Sequence, residues 1–296
     1  MALEAADAAT GAAPEPVEAP PARPARALWF ADGLGRDAIL ARERGDHAAA
    51  RVGLESMLAQ GGLGVDDRAA AELLLGLEEL RAGAHAAAAD RFAAARPAAG
   101  LKAIELRIRL LEAQARLDAG QPAPALALVV DLDPRTLDDS PLRGDLLVIQ
   151  ADAALRTDDV TKARASYRRY LAEHGDGERR HEVSMKLARS LAKSDDAAEQ
   201  LEAAAAFEAL LVAVPLSDFA EEAERELARL RAAGLGKRGA ALREFERQIA
   251  LGRIDAMIDR GRYRQAVRGP SAASCTTSAV TPGSARSTSA ARTAWR

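Results

Sequence analysis

The sequence predicts an all-α fold, an α-α superhelix of about five helix pairs plus an incomplete sixth. Three observations predict it. First, an alanine is followed four residues later by a large apolar residue at Ala50/Leu54, Ala88/Phe92, Ala125/Val129, Ala163/Tyr167 and Ala203/Phe207, and the alanines are 38, 37, 38 and 40 residues apart. A period of this length is the signature of stacked helix pairs, each contacting only its neighbours. Second, a glycine or small polar residue stands five before each of the first four alanines: Gly45, Gly83, Gly120 and Asp158. Third, aromatic residues make up only 3% of the 296. A compact core leans on large rings for buried area, whereas helices that touch through alanine do not.

The elements follow in order. Residues 1–26 are Ala, Pro and Glu with few large apolar groups, so a disordered leader is expected, with structure beginning near Ala27–Phe30. The first pair is Asp37–Arg44 and His47–Gln60, turning at Gly45-Asp46 and ending at Gly61-Gly62-Leu63-Gly64. The second is Asp67–Ala82 and Ala84–Ala95, with Leu73, Leu74, Leu77 and Leu80 at helical spacing. The third is Leu101–Ala119 and Pro122–Leu132, with Pro122 at a helix start, where its missing N–H costs nothing. Pro134 and Pro141 bracket the loop to the fourth pair, Leu142–Arg156 and Thr161–His174. The fifth is Arg180–Lys193 and Ala197–Val214, turning at Ser194-Asp195-Asp196. A single helix, Asp218 to about Ala232, follows, with Asp218 and Glu221 reading as a capping box. Ala240–Asp259 and a turn at Gly261 close the regular part.

Three regions follow from this: a helical repeat domain over 27–236, a terminal unit over 237–268 expected to fray, and a tail over 269–296. The last unit begins in register with Gly261 and Ala266, but Pro270 stands where a large apolar residue is due. From Gly269 on there is no Leu, Ile, Asp, Glu or Lys. Two readings stay open: a disordered tail, or a frameshift in GC-rich DNA that replaced the rest of the helix.

Composition excludes several function classes. A net charge of −3 gives no electrostatic drive toward nucleic acid. No apolar run approaches the roughly 20 residues of a membrane span. The first 26 residues lack the basic start and apolar stretch of a secretion signal, so none is expected there. The single cysteine, Cys275, lies in the anomalous tail with no histidine near it, which argues against a nucleophile.

The remaining motifs read as structure. Gly234-Leu235-Gly236-Lys237-Arg238-Gly239 has the letters of a dinucleotide loop, but such a loop follows a strand, and here a helix precedes it, so an inter-helix linker is predicted. His47 and His85 each stand two after a turn glycine, a packing position. His174 and His181 lack a third convergent ligand for zinc. The Asp pairs 66/67, 138/139, 158/159 and 195/196 fall at helix starts and turns, where caps are expected. Basic residues from Arg229 to Arg268 alternate with acids, which predicts a solvated face. No catalytic residue, metal or cofactor is expected.

The small residue in a first helix, the turn glycine, the alanine in the second helix and the large residue four later together resemble the tetratricopeptide repeat. Unit two shows all of them, with Leu75-Gly76 preceding Ala88 by twelve to thirteen residues. Where two helices cross closely, small residues stand at the crossing and the large one fills the adjoining groove. The stretch Phe207-Glu208-Ala209-Leu210-Leu211, Pro215-Leu216-Ser217, Ala220, Ala223 and Leu227 is also similar to bacterial envelope scaffolds, in particular the superhelical N-terminal domain of soluble lytic murein transglycosylases. That resemblance implies a periplasmic or envelope setting and a peptidoglycan partner. The family's lysozyme-like domain has no counterpart in this chain, and its Glu-Ser dipeptide is matched only by Glu55-Ser56 inside a second helix.

The expected function is a non-enzymatic scaffold that binds a protein or peptide along the concave face of the first helices. Seven residues mark that face: Arg81, Arg107, Gln114, Asp118, Asp145, Asp152 and Arg156. Charge reversal at Gln114 or Asp152 is expected to weaken capture of a partner without changing thermal stability. The alternative is the scaffold portion of a murein-cleaving enzyme.

Overall fold

A computed structural model of the chain describes residues 33–60, 62–137 and 141–261. These residues form an all-α array, with no strand among them. The α-helices are α1 (Gly33–Glu43), α2 (His47–Ala59), α3 (Val65–Arg81), α4 (His85–Ala95), α5 (Glu105–Asp118), α6 (Pro122–Val129), α7 (Pro141–Arg156), α8 (Val160–Glu173), α9 (Arg180–Ala192), α10 (Ala197–Ala213), α11 (Ala220–Ala232) and α12 (Gly239–Asp259). The hairpins α1/α2, α3/α4, α5/α6, α7/α8 and α9/α10 pack in chain order, and each second helix also packs on the first helix of the next hairpin. The expected leader over 1–26, the start near Ala27–Phe30 and everything from Arg262 on, including Pro270 and Cys275, lie outside the described residues.

The five alanines and their large partners form the core. Ala50, Ala88, Ala125, Ala163 and Ala203 are fully buried, and Leu54, Phe92, Val129, Tyr167 and Phe207 are no more than 2% exposed. Burying each large side chain stabilises the fold by about 1.5–3 kcal/mol. Facing them, seven residues before each turn, the first helices carry Ala38, Gly76, Ala113 and Ala151, all buried. Ala38 shares a core with Leu54, Ala113 with Val129 and Ala151 with Tyr167, while Gly76 lies against the Phe92 ring. The small residue admits the large one, and the two helices close on each other.

The turns repeat as well. Gly45, Gly83 and Gly120 have φ of +81°, +77° and +74°, and Asp158 has +62°. In each turn the residue after this one donates its N–H five residues back, from Asp46 to Ala41, Ala84 to Glu79, Gln121 to Arg116 and Asp159 to Ala154. This is the Schellman closure, which satisfies the helix's last carbonyls and needs a left-handed residue. Asp tolerates that region better than most residues with a Cβ, which is why it can replace glycine.

Several local expectations are corrected. No side-chain cap forms at α11: its N-cap is Phe219, so the Asp218/Glu221 box is absent. The third pair opens with a 3₁₀ turn, Ala99–Ile104, before α5. Asp66 explains it, because its carboxylate accepts from Gly100 N–H at 2.8 Å and so anchors this loop instead of capping α3. Pro141 is the first residue of α7 and not part of the loop before it, a position proline favours. Of the expected acidic caps, Asp159 accepts from Lys162 N–H and Asp196 from Ala198 N–H. Asp138 and Asp139 lie outside the described residues. Outside these corrections, the terminal unit expected to fray carries α12 from Gly239, with Phe245 and Ile249 buried.

Candidate functional site

The seven predicted residues all stand on first helices: Arg81 on α3, Arg107, Gln114 and Asp118 on α5, and Asp145, Asp152 and Arg156 on α7. Arg81, Arg107, Asp118 and Arg156 are exposed, and Gln114 and Asp145 are half-buried. Asp152 departs from the expected surface position: it is 7% exposed. The Tyr167 hydroxyl donates to its Oδ1, and Lys186 Nζ lies 2.7 Å from its Oδ2. Both oxygens therefore face inward, because the large residue of this unit is a tyrosine whose buried hydroxyl needs an acceptor.

Asp152 is one end of a continuous polar chain between α7 and α9. Lys186 also meets Glu182 at 2.7 Å. Glu182 accepts two bonds from the Arg179 guanidinium, at 3.0 and 3.1 Å, and Arg179 reaches Asp145 at 3.3 Å. Burial alone would raise the Glu182 pKa, but Arg179 and Lys186 outweigh it and hold the carboxyl at about 2. Burial, then the Asp152 carboxylate, push the Tyr167 hydroxyl up, so it stays a donor. Arg179, Glu182 and Lys186 were missed from the sequence. The signal was available: Arg179 and Lys186 are each 34 residues beyond their partners Asp145 and Asp152, close to the repeat period.

The other predicted residues gather in smaller groups. Arg81 donates to His47 Nδ1 at 2.9 Å and lies 3.5 Å from Glu78. Glu78 is 2% exposed and also meets Arg42 at 3.1 Å and His47 at 2.8 Å. Gln114 donates to Asp118 at 3.0 Å, one turn along α5. Arg156 donates to the Leu117 carbonyl, tying α7 to the end of α5. The face thus carries charges of both signs, held by partners within the same helix or on a neighbouring element.

Two further features involve other residues. A hollow of about 500 Å³ opens between α9, α10 and α11, lined by Arg189, Lys193, Ser194, Gln200, Glu222 and Arg229 among others. Arg189 pairs with Glu222, and Arg229 donates to the Ala192 carbonyl at 2.9 Å. On α3, burial raises the Glu79 pKa against the opposing pull of Arg91 at 3.4 Å.

Among the described residues no group of three or more His, Cys, Asp or Glu is placed to hold a metal. His174 stacks at 5.2 Å from Tyr170, while His181 accepts from Arg180 at 3.3 Å. The Gly234–Gly239 loop joins two helices, and its Lys237 is bound to Glu208. No described helix is long and apolar enough to cross a membrane. No protein-family model matches the chain, and no curated protein matches it. Of the stretch compared above with murein scaffolds, Phe207, Leu210, Leu211, Ala223 and Leu227 are at most 3% exposed, whereas Ala209 is exposed. Their spacing is accounted for by packing of α10 on α11.

Proposed function

We propose that the chain is a non-catalytic, tetratricopeptide-like scaffold that binds a protein or peptide along the concave side of its first helices. One observation carries the reading: α5 presents Arg107, Gln114 and Asp118 on one face at exposed or half-buried positions, in register with Arg81 on α3 and with Asp145 and Arg156 on α7. A row of polar side chains on successive rigid helices suits an extended chain, whose backbone and side groups meet donors and acceptors in turn. The self-paired charges favour orientation and selectivity over strong ion capture.

The test is capture of partners from a native lysate by the immobilised chain, compared with a Gln114→Lys/Asp118→Lys variant and quantified by mass spectrometry. Proteins retained by the wild type and lost by the variant support the face; an identical captured set rejects it. The alternative, a scaffold portion of a murein-cleaving enzyme, takes isolated peptidoglycan sacculi as the ligand in the same experiment. Retention on sacculi that the variant loses would favour it.

A further inference from the structure

We propose that α12 is a movable strap, latched to α10 through Glu208, and not a fixed layer of the array. The helix is 21 residues long yet buries only Phe245 and Ile249, whereas the 17 residues of α10 bury six. Its main seat is α10 and not α11, the helix that precedes it in the chain. Seven residues before Gly261, where four earlier first helices carry alanine or glycine, α12 carries the larger Ile254.

The joint is the glycine-rich linker. Gly234, Gly236 and Gly239 have φ of +90°, +88° and +57°, conformations that residues with a Cβ rarely adopt. The latch is one buried carboxylate. Glu208 on α10 is 5% exposed. It pairs with Lys237 of the linker and with Arg231 of α11 at 3.3 Å, and it accepts from the Lys237 N–H at 3.3 Å. Both cations also lie over the Phe245 ring, at 4.9 and 5.4 Å from its centre. One carboxylate therefore fixes α11, the linker and the first turns of α12 together. A second tie is weaker and more exposed, with Arg253 on Glu224 and, at 3.5 Å, on the Pro215 carbonyl.

A segment with few buried side chains and a flexible joint opens separately from the body that carries it. Opening α12 would uncover Glu208 and the side of α10 at Ala204, which a Cβ added to Gly236 would meet at 3.7 Å. The buried carboxylate then loses Lys237 and the ring that holds it in place, so the same group that latches the strap also opposes its release.

Hydrogen exchange of the full-length chain tests this. In the wild type the α12 amides exchange faster than those of α8 and α10. Lys237→Ala removes the latch from its exposed side without touching the core and accelerates α12 amides by about tenfold or more, leaving α3 to α9 unchanged. Glu208→Gln gives the same local acceleration. Wild-type α12 exchanging in step with α10, or α12 protection unchanged in Lys237→Ala, overturns the proposal.

Discussion

A methyl group added to Gly76 would lie 2.8 Å from Cε1 of Phe92. The first helix of the second hairpin therefore meets the second where one side chain is missing and the other fills the space. Gly76→Ala is expected to destabilise the chain by about 1–3 kcal/mol through overpacking, despite the roughly 1 kcal/mol that alanine gains over glycine inside a helix. Phe92→Leu, which shortens the opposing ring, should recover part of that loss. A double-mutant cycle read by urea midpoints checks it, and simple additivity of the two changes would contradict the contact.

Asp158 is the only described residue other than glycine with positive φ. Asp158→Val should lose about 1–2 kcal/mol, the cost of forcing a β-branched residue into the left-handed region. Asp158→Gly and Asp158→Asn should stay close to the wild type. Thermal midpoints of the three variants check this, and an unaffected valine variant would show that the turn relaxes.

Glu182 gives the chain a defined acid response. Its folded-state pKa of about 2 lies below its ordinary 4.5. A carboxyl with a depressed folded pKa contributes stability above its unfolded value and loses it as pH falls through the folded one. The advantage of the wild type over Glu182→Gln should therefore be full at pH 6, shrink from about pH 4.5 downward and vanish near pH 2. Urea titrations across that range measure it, and a pH-independent difference would contradict the ion-pair chain.

Asp152 cannot serve as the neutral binding probe expected from its position in the sequence. Asp152→Lys would leave Lys186 and the Tyr167 hydroxyl without their acceptor and should cost about 3–5 kcal/mol, as for a buried pair broken on one side. Gln114→Lys, half-buried and bonded only within α5, should stay close to wild-type stability. Thermal denaturation separates the two, and equal stability would place Asp152 back at the surface.

The hairpins were legible because burial at a fixed spacing leaves a volume signature: Ala88 with Phe92, or Ala163 with Tyr167, repeats wherever two helices cross. The turns were legible because Gly45, Gly83, Gly120 and Asp158 satisfy a backbone requirement that few residues meet. Relationships set by distant side chains were not legible. That Asp152 is buried depends on Lys186 and Tyr167, and Asp66 anchors Gly100 across 34 residues instead of capping its own helix. The seat of α12 depends on Glu208 in α10, which local spacing reads only as a polar residue next to Phe207. The polar chain from α7 to α9 was half visible, since Asp145 and Asp152 were named while their partners, Arg179 just before α9 and Lys186 within it, were not.

Paired alanine-to-leucine substitutions test most directly whether buried alanines at the crossings organise the array. Each of Ala50, Ala88, Ala125, Ala163 and Ala203 has an exposed alanine close by, at Ala49, Ala87, Ala123, Ala165 and Ala205. Leucine at each buried position should lower the unfolding free energy by about 1–3 kcal/mol or more, while leucine at each exposed neighbour should change it by no more than about 0.5 kcal/mol. Buried and exposed members of the pairs tolerating leucine equally would contradict the account.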